Sequence, residues 1–279
     1  MSTTAIRQMT RSEADGVLTW AQREGWNPGL HDAALFYETD PEGFFVAERG
    51  GEIIGAISAV RYGAGFGFVG LFIVAPGERG RRVGILLGRR AMEWLEGRVI
   101  GTDGVLAKQD QYARLAGFVP AHRNVRFGGK ISGLAHKDVF PLRDFEWSDV
   151  AAFDAGCFPA PRENFLRRWI AQDDALALGA CGPGGLAGFG VIRRCGAGCK
   201  VGPLFANGPW VAGRILSSLA GFAAGEEIYL DVPECNREGT HLAVTLGMQP
   251  VFATARMYAG PAPELATERI FGVTSFELG

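Results

Sequence analysis

Three arginines and three glycines fall within the eight residues "GERGRRVG", Gly77 to Gly84. The apolar run "FGFVGLFIV" (Phe66 to Val74) leads into them, and "ILLGRRAMEWLEG" follows. Glycines at Gly77, Gly80 and Gly84 let backbone N–H groups approach an anion closely. A helix starting just after them aims further N–H groups, and the positive end of its dipole, at the same point. Arg79, Arg81 and Arg82 add side-chain charge. A pyrophosphate asks for this combination. The spacing is not that of the nucleoside-triphosphate loop, Gly-x-x-x-x-Gly-Lys-Ser/Thr, and Gly-x-Gly-x-x-Gly is absent.

The elements that must position this loop read as follows. "TAIRQMT" is a strand, and "RSEADGVLTWAQREG" an amphipathic helix entered through a Ser12–Asp15 cap. "GLHDAALFYETDP" is a short helix, with His31 or Asp32 near its start. "GFFVAERGGEIIGAISAVRYG" is a hairpin turned at Gly50–Gly51. The long apolar strand and the loop come next, then a helix from about Arg82 to Glu96. "VIGTDGVLA" is a strand, "KQDQYARLAG" a helix closed by Gly117, and "FVPAHRNVRFGGKISG" a last hairpin.

The plan then repeats. Gly55, Arg61 and Gly63 align with Gly188, Arg194 and Gly196, and Gly70 with Gly202. Gly84 aligns with Gly213, and Gly117, Pro120 and Arg126 with Gly247, Pro250 and Arg256. The shared order implies a duplicated domain, divided in the polar stretch Ser132–Lys137 into residues 1–133 and 134–279. The second copy shortens the loop: 11 positions separate Gly202 from Gly213, against 14 from Gly70 to Gly84. Its "PLFANGPWVAGR" holds a single arginine. Pyrophosphate should therefore be held by the first half alone.

Composition removes several classes. A net charge of −2 argues against a nucleic-acid partner. The beginning of the chain lacks the apolar core of a signal peptide, and no apolar run reaches the ~20 residues of a membrane span. Cys157, Cys181, Cys195, Cys199 and Cys235 are odd in number and scattered, as reduced cytoplasmic thiols are. The histidines are too few and too distant to complete a metal site with Cys195 and Cys199, so no metal is expected.

"IVAPGERGRRVGILLG" resembles the acyl-CoA loop of the GNAT (GCN5-related N-acetyltransferase) superfamily, written Gln/Arg-x-x-Gly-x-Gly/Ala after a Val-x-Pro strand end. Arg79 fills the first position and Gly84 the last, while Arg82 stands where a glycine is usual. "RLAGFVP" is similar to the superfamily's late Gly-Phe segment. "EGWNPGLHDAALFYETDPEGFFVAE", "ARMYAG" and "SFELG" resemble a bacterial two-domain branch of it (YitH-like). The resemblance implies an α/β (α+β mixed) fold of two tandem GNAT-type domains. Each would be a twisted, mostly antiparallel sheet flanked by helices, with a splayed central strand pair.

The resemblance also implies transfer of an acetyl group from acetyl-CoA, as cosubstrate, to the amine of a small molecule, amino acid or peptide. Transfer would be by direct attack in a ternary complex. The cofactor-binding residues would be Phe72, Ile73, Val74, Arg79, Gly80, Arg81, Arg82, Val83 and Gly84. An N–H near Phe72 to Val74 would polarise the thioester carbonyl. Tyr112 would be the general acid, although it lies five residues before Gly117 where the superfamily's spacing is four, and Ala113 fills that slot. A one-residue shift turns a helical side chain by about 100°.

His31, Asp32, Glu38, Asp40 and Glu42 are candidate bases, and Trp26, Asp32 and Phe36 candidate walls of an acceptor pocket. In the second half Asp231, Glu234 and Asn236 mark a strand end, Asn236 reading most simply as a helix cap. The displaced Tyr112 and the degenerate second loop keep an alternative open, a non-catalytic acyl-CoA-binding sensor.

Overall fold

A computed structural model describes residues 3–279 and divides them into two compact units. The units do not follow from a single cut. Unit 1 holds residues 3–121, Arg256–Ala262 and Phe276–Gly279, and unit 2 holds His122–Ala255 and Pro263–Ser275. Each is thus completed by chain from the other half of the sequence.

In unit 1 the order is β1 (Ala5–Gln8), α1 (Arg11–Arg23), α2 (Asp32–Thr39), β2 (Phe44–Arg49), β3 (Glu52–Tyr62), β4 (Phe66–Val74), α3 (Val83–Trp94), β5 (Val99–Val105) and α4 (Gln109–Ala116). α1 buries Ala14, Val17, Leu18 and Ala21, and α3 buries Val83, Leu87 and Ala91, the single apolar stripe that 3.6 residues per turn produces. The α1 cap differs from expectation. The box is Thr10 with Glu13, whose carboxylate accepts the Thr10 N–H at 2.7 Å, two positions before Ser12–Asp15. Strands β1 to β4 are antiparallel neighbours in order, turned at Gly50 and Gly51 with φ of +60° and +84°.

The centre of this sheet opens. β4 and β5 run parallel only from Phe66–Val99 to Val69–Thr102, where Thr102 Oγ1 donates to Val69 O at 2.9 Å. Just beyond, Leu71 and Phe72 of β4 stand opposite Ile57 alone, a bulge in which Leu71 takes φ +46°. A bulge re-aims the strand, so the two central strands splay.

Unit 2 repeats the order. After β6 (Val119–Gly129) come β7 (Val139–Pro141), α5 (Trp147–Ala155), α6 (Glu163–Ile170), β8 (Ala175–Gly182), β9 (Gly185–Arg194), β10 (Cys199–Ala206), α7 (Pro209–Ala220), β11 (Ile228–Pro233), α8 (Arg237–Thr245), β12 (Gln249–Ala259) and β13 (Ile270–Gly272). The bulge recurs, with Gly202 and Pro203 of β10 opposite Val191. β10 and β11 pair in parallel only from Cys199–Ile228 to Val201–Leu230. Here the opening is filled. β13 pairs antiparallel with β10, Leu204 opposite Gly272, and Val273 N donates to Asp231 O at 2.8 Å.

The exchanged strands are fixed by ion pairs. From Asn124 to Gly129 β6 pairs with β11, and Arg126 donates to Asp231 at 2.6 and 2.8 Å, both side chains buried. In unit 1, Arg256 donates to Asp103 of β5 at 3.0 and 2.6 Å. Arg126 and Arg256 are the pair aligned by the sequence repeat, so the duplication carries one pairing rule twice.

Candidate active site

Unit 1 holds a cleft of about 550 Å³ between the bulged end of β4, the start of α3 and the start of α4. Phe72, Ile73 and Val74 form its floor. Arg79, Gly80, Arg82 and Gly84 line one side, Val105, Lys108, Gln111 and Tyr112 another, and Glu24 and Trp26 the rim. Most of the residues read from the sequence as one loop and one acid are therefore gathered around one space. Arg81 and Val83 are not among them. Arg81 is exposed and pairs with Glu78, and the Val83 side chain is 1% exposed in the core under α3, leaving only its backbone N–H for a ligand.

The loop's conformation explains the residue types. Gly80 takes φ +79° and Arg82, at the N-cap of α3, takes φ +66° and ψ 0°. Both are left-handed, so the position where the superfamily uses glycine needs glycine's geometry, and Arg82 adopts it at a steric cost. Its guanidinium forms no ion pair among the described residues. Arg79 is held differently. Its Nε donates to Val74 O at 3.0 Å and its Nη2 pairs with Glu24, which joins the rim of the cleft to the loop. Glu78 also lines the cleft, and its carboxylate is paired with Arg49 at 2.6 Å.

Tyr112 reaches the cleft despite its displaced position in the helix. Gly104 on β5 makes this possible: a Cβ there would lie 2.6 Å from the Tyr112 ring. The ring packs against Phe72, centroids 6.4 Å apart. Burial pushes the hydroxyl up from its ordinary value, so it stays protonated at neutral pH.

The acceptor-side residues separate. Trp26 lines the cleft. Asp32 is buried and accepts the Gly29 N–H at 2.7 Å, closing the turn into α2. Phe36 is fully enclosed in the core, so it walls no pocket. Asp40 and Glu42 are both tied to Arg61, which stacks on Trp94 at 4.1 Å. None of the five candidate bases lines the cleft. Asp231 belongs to the Arg126 pair, and Asn236 caps α8 by accepting the Gly239 N–H at 3.0 Å.

Sequence reasoning missed Glu24 and Lys108. A lysine two residues ahead of Asp110 in a helix start carries no spacing signal of its own. Glu24 is 55 positions from the arginine it meets.

In unit 2 the place beside β10 that corresponds to the opening of unit 1 is taken by β13. A hollow of about 400 Å³ lies between Pro209 of α7 and Arg237 and His241 of α8, with no β10 residue in its wall. Among the described residues no helix is long and apolar enough to cross a membrane, and no three metal-ligating side chains gather.

Comparison with known proteins agrees with the geometry. Residues 11–118 match the Acetyltransferase (GNAT) family and residues 150–272 the Acetyltransferase (GNAT) domain. The holothin acyltransferase of Pseudoalteromonas sp. (strain SANK 73390) is 28% identical over 93% of this chain and 89% of its own. The crystal structure of a Pyrococcus horikoshii protein assigned to the acetyltransferases superposes with a TM-score of 0.84 at 22% identity, covering 99% of this chain and 96% of that one. A tandem GNAT protein from the clavulanic acid biosynthesis pathway superposes at 0.63 and 15%, covering 93% and 100%. The chain belongs to the GNAT acyltransferase superfamily and carries two of its domains in tandem.

Proposed function

We propose that the chain transfers an acetyl group from acetyl-CoA to the primary amine of a small molecule, with unit 1 as the catalytic unit. The observation that carries the reading is the cleft lined together by Phe72 at the bulge of β4, by Gly84 and Ile85 in the first turn of α3, and by Tyr112. The first-turn N–H groups of α3 have no acceptor within the helix, as in any helix, and suit a pyrophosphate. Arg82 and Lys108 add two cations to that anion site, and Arg79 adds a third once it leaves Glu24. The apolar floor, Phe72 to Val74, suits the uncharged arm that links pyrophosphate to thioester.

In this reading a backbone N–H beside the bulge polarises the thioester carbonyl. The amine attacks directly, and Tyr112 returns a proton to the departing thiolate. Unit 2 holds no cofactor, because β13 occupies the place between β10 and β11. Holothin is the first acceptor to test, since a relative is named for acylating it.

Titration calorimetry with acetyl-CoA on wild type and on Arg79→Ala, Arg82→Ala tests the cofactor. Each charge-assisted contact is worth ~1.5–3 kcal/mol, so affinity falls about tenfold or more per guanidinium. Free-thiol release across a panel of amines, holothin included, tests the transfer. Binding without release on any amine favours the non-catalytic sensor, and absence of binding overturns both readings.

A further inference from the structure

One carboxylate of the unit 1 cleft is tied to a cation that the cofactor also needs. Glu24 and Arg79 both line the cleft and pair with each other, Oε1 to Nη2. Arg79 Nε donates at the same time to Val74 O at 3.0 Å, an anchor that leaves the outer nitrogens to choose a partner. The Arg79 and Glu24 side chains are 50% and 33% exposed. A pair so open to water is screened and weakly held. A guanidinium meeting phosphate forms charge-assisted, two-pronged hydrogen bonds, which are stronger. A pyrophosphate in the cleft therefore wins Arg79 from Glu24.

Glu24 is then left in a place that favours positive charge. It is the C-cap of α1, and the carboxyl end of a helix is its negative end. A carboxylate there adds to a field of its own sign, and in the empty cleft Arg79 offsets it. Trp26, two residues on, lines the same cleft, and the face of an indole attracts cations. Helix end, carboxylate and indole all select a cation. An alkyl amine at neutral pH is one, its nitrogen protonated.

We infer that Glu24 recognises the ammonium of the acceptor, and that Arg79 covers it until the cofactor's pyrophosphate draws Arg79 off. The inference rests on the amine-transfer reading above. Glu24 is a positioning residue: it holds charge, and no bond forms or breaks on it. The two ligands help each other without touching. The cofactor uncovers Glu24 for the amine, and the amine, by occupying Glu24, leaves Arg79 to the cofactor.

This exchange sets one factor that must appear in three measurements. A pair of this exposure is worth about two- to fivefold in an equilibrium. Calorimetry on the full-length protein uses coenzyme A, which brings the phosphates without an acyl group, and an amine that wild type acylates. In wild type, coenzyme A should tighten the amine by that factor. Glu24→Gln should tighten coenzyme A by the same factor, bind the amine more weakly and lose the coupling. Arg79→Ala should bind the amine, without coenzyme A, as tightly as wild type does with it. A Glu24→Gln protein that binds coenzyme A like wild type or more weakly, or that keeps the coupling, overturns the assignment and leaves the amine reading standing. If wild type binds acetyl-CoA but acylates no amine, the amine reading fails and this assignment falls with it.

Discussion

Asp103 and Arg256 lie 153 positions apart in the chain and form a two-pronged ion pair, Nε to Oδ1 at 3.0 Å and Nη2 to Oδ2 at 2.6 Å. Both are nearly enclosed, and the pair fixes a late strand onto an early one. Removing one partner leaves the other charge buried without compensation, which costs about 3–5 kcal/mol. Asp103→Asn should therefore lower the midpoint of urea unfolding sharply. Replacing both residues together, as Asp103→Leu with Arg256→Met, should recover most of the loss. A double variant as unstable as the single one would mean that the pair does more than hold the strand.

Gly104 exists for Tyr112. Gly104→Ala places a methyl where the ring now lies and turns the hydroxyl out of line. A displacement of about 1 Å at a reacting group costs on the order of 100-fold in rate. We expect kcat to fall by that order while acetyl-CoA affinity, read by calorimetry, stays close to wild type. Equal losses in both would assign Tyr112 to holding the cofactor.

Arg82 stores backbone strain. A non-glycine residue in the left-handed region costs about 1–2 kcal/mol. Arg82→Gly should raise the melting temperature by about 2–4 °C, the shift expected for that energy in a domain of this size. Acetyl-CoA affinity should fall at the same time, since a cation of the cleft is lost. A variant that is no more stable would place the compensation elsewhere in the loop.

Glu13 sets an acid limit on stability. Its hydrogen bond from Arg7, aided by the Thr10 N–H, lowers its pKa to about 2, although partial burial works the other way. A depressed folded pKa gives stability that is fully present above the ordinary carboxylate range and is lost as pH falls toward 2. Glu13→Gln keeps the acceptor for the cap but cannot titrate. Its unfolding midpoint should change less than that of wild type between pH 5 and about pH 2.5. Parallel acid limbs would show that other carboxylates carry the effect.

What could be read from the sequence was local. "GERGRRVG" announces itself because a strand, a glycine turn and a helix start are neighbours in the chain, and the structure places most of its residues around one cleft. The Gly50–Gly51 turn and the Asn236 cap are local in the same way. Partners separated by long stretches were not legible. Glu24 reaches Arg79, and Gly104 admits Tyr112, through packing that no spacing encodes. Asp32 and Phe36 were misplaced because a polar or aromatic residue in a helix start looks the same whether it faces a pocket or the core. The strand exchange was hidden for a related reason. The repeat gave β6 its order in the first half, but its partner β11 is chosen by pairing across the fold.

The filling of unit 2 by β13 has a consequence for what duplication achieved. Ten residues connect Ala259 of β12 to Ile270 of β13. A tether of that length presents its end at an effective concentration on the order of millimolar. An outside molecule competing for the place beside β10 must exceed that level merely to match it. The second copy is therefore self-ligated: it carries its own occupant covalently, and a slot for exchange has become a permanent seam.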